Sequence, residues 1–143
     1  MKTQNYANHV RRVPVYIGLL LLLLAAIGGS MVNLCKSWCD HTRVYSASLI
    51  LALSIATLFA SFFARIFALK AQDRAIRAEE NLRHFVLTGK LLDPRLTIRQ
   101  VIGLRFAPDE EFVALAQRAV AENLSETDIK KAVKNWKADD YRV

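Results

Sequence analysis

The sequence predicts an all-α membrane protein: a transmembrane helical hairpin whose second helix extends into the cytosol, with a small C-terminal helical head of about three short helices. Three observations carry that fold class. Val13 to Cys35 and Val44 to Ala64 contain no charged residue, and each is long enough to cross a bilayer, for which about 20 apolar residues suffice. No Gly or Pro follows the second stretch before Gly89, so nothing stops its helix at the membrane surface. The remainder carries helix-start signals and none of the period-2 alternation that marks strands.

The elements follow in order. Residues 1–12 form a cytoplasmic N-terminal segment holding Lys2, Arg11 and Arg12. Residues 13–35 form the first span. Leu19 to Ile27 followed by Gly28, Gly29 and Ser30 resembles a signal-peptide cleavage region, but the apolar run exceeds the roughly 7 to 15 residues such a region needs. Residues 36–43 make an extracytoplasmic loop and residues 44–66 the second span. Residues 67–88, rich in Ala, Arg, Glu and Leu, continue the same helix into the cytosol. The whole helix then measures about 45 residues, or roughly 67 Å.

Residues 89–143 make the head. Asp93-Pro94 and Thr97 with Gln100 offer an N-cap and a capping box for a helix containing Ile98, Val101, Ile102 and Leu104. Pro108 with Asp109, Glu110 and Glu111 opens a second helix, where the acidic residues complement the helix dipole. Ser125 and Asp128 open a third, with Ile129, Ala132, Val133 and Trp136 on its apolar side. Three short amphipathic helices need a common surface to cover.

A stripe of mostly small residues offers that surface. Ala47, Ile50, Ser54, Thr57, Ser61, Ala64, Ala68, Ala71, Ala75, Ala78, Leu82 and Phe85 alternate in steps of three and four, the 3.5-residue period of a packed helix seam. In the first span Gly18, Leu22, Ala25, Gly29 and Val32 follow the same spacing, and small residues allow backbones to approach closely in lipid. The expectation is that Gly18, Ala25 and Gly29 meet Ser54, Thr57 and Ser61 inside the bilayer. The cytosolic part, Ala68 to Phe85, is expected to receive the head. Hydroxyls on the seam return hydrogen bonds to their own helix and imply no polar pathway.

Charge sets topology and narrows partners. The chain carries a net charge of +7, which raises the question of nucleic acid. The excess lies beside the spans: +3 in residues 1–14, +1 in the loop, +3 from Arg65 to Lys90, and zero from Leu91 to Val143. Arg11, Arg12, Arg65, Lys70, Arg74 and Arg77 are therefore read as membrane-surface cations that place both termini in the cytoplasm and face anionic headgroups. No Asp, Glu, Lys, Arg or His lies in the centre of either span, which disfavours ion or proton transport.

Few motifs carry chemistry. Cys35 and Cys39 lie four residues apart in the outer loop region with His41 nearby; in an oxidising compartment a local disulfide, an intermolecular disulfide or a weak metal site are all open. Three ligands fall short of a structural zinc site, and no metal or other cofactor is expected. His84 has no nucleophile patterned beside it. Ala119, Asn123, Leu124, Ser125 and Ile129 match helix-turn-helix spacing, so a membrane-tethered regulator using residues 109–137 to bind DNA is the alternative reading. Neutrality of the head and Glu126 and Asp128 at the start of the supposed recognition helix count against it.

Several runs carry a family resemblance: Phe67-Ala68-Leu69-Lys70-Ala71-Gln72-Asp73-Arg74, Ala78-Glu79-Glu80-Asn81-Leu82-Arg83-His84-Phe85, Arg105-Phe106-Ala107 with Asp109-Glu110-Glu111-Phe112, the closing Tyr141-Arg142-Val143, and Asn5-Tyr6 with His9. On these the chain resembles a bacterial family of small two-span membrane proteins of unknown function. The resemblance implies bacterial origin and hairpin topology and brings no active site. The Cys pair is not a feature the resemblance accounts for. Together these readings give a multi-pass protein of the bacterial inner membrane with a structural or protein-interaction role, not an enzyme. Its expected partners are the bilayer and a homo-oligomer or larger membrane complex, with no small-molecule substrate.

Overall fold

The structure, a computed structural model, describes residues 4–9 and 13–139. It contains five helices: α1 (Pro14–Lys36), α2 (His41–Thr88), α3 (Ile98–Leu104), α4 (Asp109–Ala121) and α5 (Glu126–Ala132), with no strand among the described residues. The chain divides into two compact units, residues 12–68 and residues 1–11 with 69–143, and α2 contributes to both.

The first unit is the hairpin of α1 and the apolar part of α2. Pro14 opens α1, where its missing N–H costs nothing. Asp40 opens α2: its Oδ1 accepts from the N–H of Thr42 (3.1 Å), the hydroxyl of Thr42 (2.6 Å) and the N–H of Arg43 (3.3 Å). These bonds hold its carboxyl below the usual range, the Thr42 hydroxyl contributing most. Buried or half-buried positions recur as Tyr16, Leu20, Leu23, Ile27, Ser30 and Leu34 on α1 and as Val44, Ala47, Leu51, Ser54, Leu58, Ser61 and Arg65 on α2. Arg65 sits over the ring of Tyr16, 5.7 Å from its centroid. The start of α1 therefore meets the far end of the apolar part of α2, as an antiparallel hairpin requires.

This register differs from the one expected. Ser54 and Ser61 are half-buried, but Thr57 and Ala64 are exposed, as are Gly18, Leu22, Ala25, Gly29 and Val32. A Cβ added at Gly18 or Gly29 would meet nothing within 4 Å. Volume accounts for the choice. Six consecutive leucines, Leu19 to Leu24, leave α1 without a preferred apolar side, so periodicity cannot select a face. Leu20, Leu23 and Ile27 are covered on α1, and Ala47, Ser54 and Ser61 on α2; glycines turned inward on α1 instead would leave lining atoms without dispersion partners. The seam hydroxyls bond their own helix: Ser54 to Ile50 O (2.8 Å), Thr57 to Leu53 O (2.7 Å) and Ser61 to Thr57 O (3.0 Å).

The second unit joins α2 from residue 69 onward to the head. Gly89 takes a φ of +72° and donates to Phe85 O at 2.7 Å, ending α2 in the left-handed conformation that glycine adopts without strain. Thr97 and Gln100 form a reciprocal capping box on α3, and Ser125 accepts from the N–H of Asp128 to start α5. Asn123, with φ +48°, closes α4, and Leu124 N–H reaches back to Ala119 O at 3.1 Å, the long bond of a Schellman motif. Phe106, Phe112, Leu104, Val101 and Ile129 are the largest fully buried side chains, and Ile76 of α2 shares a core with the last four of them. Gly103 lets α3 close on α5: a Cβ there would stand 3.1 Å from Ile129 Cγ2 and 3.2 Å from Glu126 O.

The side of α2 that the head covers is not the alanine seam. Gln72, Ile76, Glu80, Arg83 and His84 are buried or half-buried, whereas Ala71, Ala75, Ala78, Leu82 and Phe85 are exposed. Alanines offer the head's large side chains less apolar area to cover than Ile76 does. The polar side brings Ile76 together with an ion pair that the head completes.

Candidate functional site

A polar constellation centred on Arg83 lies where α2 meets the head. Arg83 donates from Nη1 to Glu80 Oε2 at 3.1 Å, from Nε to Asp109 Oδ1 at 2.7 Å and from Nη2 to Ala107 O at 2.8 Å. Its Cζ lies 4.3 Å from the centroid of Phe112. The side chains of Arg83 and Glu80 are only 12% and 8% exposed, so this pair is taken out of water. Burial pushes the Glu80 carboxyl above its ordinary range, and Arg83 opposes that shift. The spacing Glu79 to Arg83 suggests a helical charge pair, but Arg83 turns to Glu80, one residue on. With its donors spent on protein acceptors, this arginine is a clasp between α2 and α4. His84 lies beside it, Nδ1 at 2.7 Å from Lys90 O and its ring 6.0 Å from that of Phe112. It braces the turn after α2.

A second cluster is assembled from sequence-distant parts. His9 places its ring 5.6 Å from Trp136 and 5.9 Å from Phe106, and Tyr6 stacks on His9 at 5.6 Å. Nδ1 of His9 faces Tyr6 O at 2.7 Å, and Nε2 faces Lys130 Nζ at 3.3 Å. Lys130 also donates to Glu126 at 2.6 Å, Lys131 lies over the Tyr6 ring, and the N–H of Asp139 donates to Gln4 Oε1 at 2.8 Å. The N-terminal segment is thus strapped across α5 and the tail that follows it. Of the four lysines on and after α5 that would serve a DNA contact, Lys130, Lys131, Lys134 and Lys137, the first two face this segment. No motif announces the strap. Its residues, Asn5-Tyr6 and His9, enter the sequence reading only as part of the family resemblance.

Residues 1–143, the full chain, match the model described as Family of unknown function (DUF6526). The chain belongs to that family. No curated protein and no solved structure matches it.

Other predicted positions of this DUF6526 chain fall as follows. Arg11 and Arg12 lie outside the described residues. Arg65 is half-buried against Tyr16, while Lys70, Arg74 and Arg77 are exposed. Cys35 lies in the last turn of α1 and Cys39 in the loop; both are exposed and carry free thiols. No group of three or more His, Cys, Asp or Glu is placed to hold a metal ion among the described residues. Ala68 is half-buried and Ala71, Ala75 and Ala78 are exposed. Among the described residues of the second unit, the outward side of α2 from Ala71 to Val86 is left exposed.

Proposed function

We propose that this chain is a bacterial inner-membrane protein, spanning twice with both termini cytoplasmic, that serves as a structural or protein-interaction element and performs no chemistry of its own. One observation carries the membrane reading. Only 6% of the residues in the apolar window of α1, and 6% in that of α2, are buried. A core helix of a soluble protein would be covered. Here Val15, Leu21, Leu22, Leu53, Phe59, Phe63 and Phe67 stand open, an apolar surface far larger than isolated exposed residues account for. The cations Lys70, Arg74 and Arg77 just beyond the second apolar stretch support a cytoplasmic position for the head.

The interaction reading rests on what the second unit does with its polar groups. Arg83, Glu80, Gln100 and Glu111 all serve internal bonds, while the outward side of α2 keeps Leu82, Phe85 and Val86 exposed. The α4–α5 pair has the outline of a helix-turn-helix, and Lys131, Lys134 and Lys137 are exposed, but Lys130 is tied to Glu126 and His9 and Glu126 and Asp128 open the second helix of the pair, so a protein partner is preferred over DNA.

The two cysteines make the test direct, because the sequence contains no others. Membranes bearing the full chain are washed with alkaline carbonate, and intact cells are treated with a membrane-impermeant maleimide. Retention in the pellet with labelling before lysis is expected. Release by carbonate, or labelling only after lysis, overturns the topology.

A further inference from the structure

We infer that the outward side of α2 between Ala71 and Phe85 is the contact of a parallel homodimer, its occupant being the same helix of a second copy of this chain. The inference deepens the proposed interaction role and rests on the two-span reading. Ala71, Ala75, Ala78, Leu82 and Phe85 continue in alternating steps of four and three, and all five are exposed, Leu82 at 63% and Phe85 at 50%. They lie about 150° around the helix from Ile76, at 100° per residue, so the head packed on the other side does not obstruct them.

Charge complementarity and orientation together select the occupant. With Ala75 and Leu82 at a and Ala71, Ala78 and Phe85 at d, Arg74 falls at g and Glu79 at the following e, and both are exposed. In a parallel pair, g of one helix faces the next e of its partner. Arg74 of each copy therefore meets Glu79 of the partner copy, and symmetry makes the bridge twice. An antiparallel pair loses that match. Two copies inserted in one membrane with the same topology can bring this part of α2 together only in parallel. Alanines at three of the five core positions let the helices approach closely, and Leu82 and Phe85 fill the wider gap at the membrane-distal end.

The test uses the full chain in phospholipid vesicles, with Cys35→Ser and Cys39→Ser as background and single cysteines placed by Ala71→Cys, Ala78→Cys and Arg77→Cys. Oxidative cross-linking is expected to give covalent dimer at the first two positions and about tenfold less at the third, which points away from the seam. Arg74→Glu added to Ala78→Cys is expected to lower the dimer yield about fivefold, and Glu79→Arg added to that to restore it. Equal yields on both sides, or failure of the charge swap to restore the dimer, overturn the inference. A chain that stays in the bilayer but yields only monomer overturns the dimer and leaves the hairpin standing; a chain released by carbonate overturns both. Seam cysteines that cross-link in native membranes to a different protein, and not to each other, also overturn it.

Discussion

Arg83 of α2 holds its guanidinium over the ring of Phe112 in α4, 4.3 Å from the centroid, and from that position its Nη1 reaches Glu80 at 3.1 Å. Removing one member of a buried pair leaves the other charge uncompensated. Arg83→Met, which keeps apolar contact with Phe112, is expected to cost about 3 kcal/mol. Glu80→Gln preserves an acceptor, relieves a buried carboxylate and leaves Arg83 paired with Asp109, so it should change stability by less than about 1 kcal/mol. Adding Glu80→Leu to Arg83→Met should recover most of the loss. Denaturant unfolding of the full chain in micelles, followed by circular dichroism, measures all three.

Gly103 is needed for its missing side chain. Replacing a helical glycine with alanine ordinarily gains up to about 1 kcal/mol, but here the added Cβ stands 3.2 Å from the Glu126 carbonyl oxygen, part of a backbone that cannot swing aside. Gly103→Ala should show none of the usual gain. Gly103→Val should cost about 2 to 3 kcal/mol by overpacking, and the same unfolding measurement reads both.

Acid should loosen the tail beyond α5 before the rest of the head. Glu111 accepts from the N–H groups of Lys134 (2.9 Å) and Asn135 (3.1 Å) and from the Asn135 side chain (3.0 Å), which lowers its carboxyl from the ordinary 4.5, the Lys134 bond contributing most. A depressed folded-state value means that this stabilisation is present above pH 4.5 and lost as pH falls through the folded value. Glu80 runs the opposite way: its raised value makes its contribution full below pH 4.5 and smaller as pH rises through the folded value. With Trp38→Phe leaving Trp136 as the sole tryptophan, the fluorescence of Trp136 should change below pH 4.5, and Glu111→Gln should flatten that change.

His9 should matter to a tryptophan that lies 127 positions further along the chain. His9 covers one side of Trp136 at 5.6 Å. In the Trp38→Phe background, His9→Ala is expected to shift Trp136 emission to the red, raise quenching by iodide and destabilise the head by about 1 kcal/mol. An unchanged spectrum would show that the strap does not shield this ring.

Much of the second unit was legible because its signals are local. Thr97 with Gln100, Ser125 with Asp128 and Gly89 act within one helical turn, and each does in the structure what its type and spacing suggest. The buried side of α4, including Phe112, Leu115, Ala116 and Ala119, also follows its 3.6-residue period. The covered side of α2 did not read correctly, because periodicity weights small and apolar residues and gives no sign that Glu80 and Arg83 would be buried as a pair. The strap of Gln4 to His9 left no pattern at all. A short polar segment acquires its meaning only from what it touches.

The sequence alone determined that the described chain is helical, that two of its helices are long and apolar enough to cross a membrane, and where the short helices start. Those properties follow from hydropathy, spacing and capping within a few residues. Tertiary structure decided which side of each helix is covered: Leu20, Leu23 and Ile27 in place of Gly18, Ala25 and Gly29, and Ile76, Glu80 and Arg83 in place of the alanine seam. The reason is that covering a face depends on volumes and charges brought by residues distant in the chain, as Phe112 and Asp109 are for Arg83.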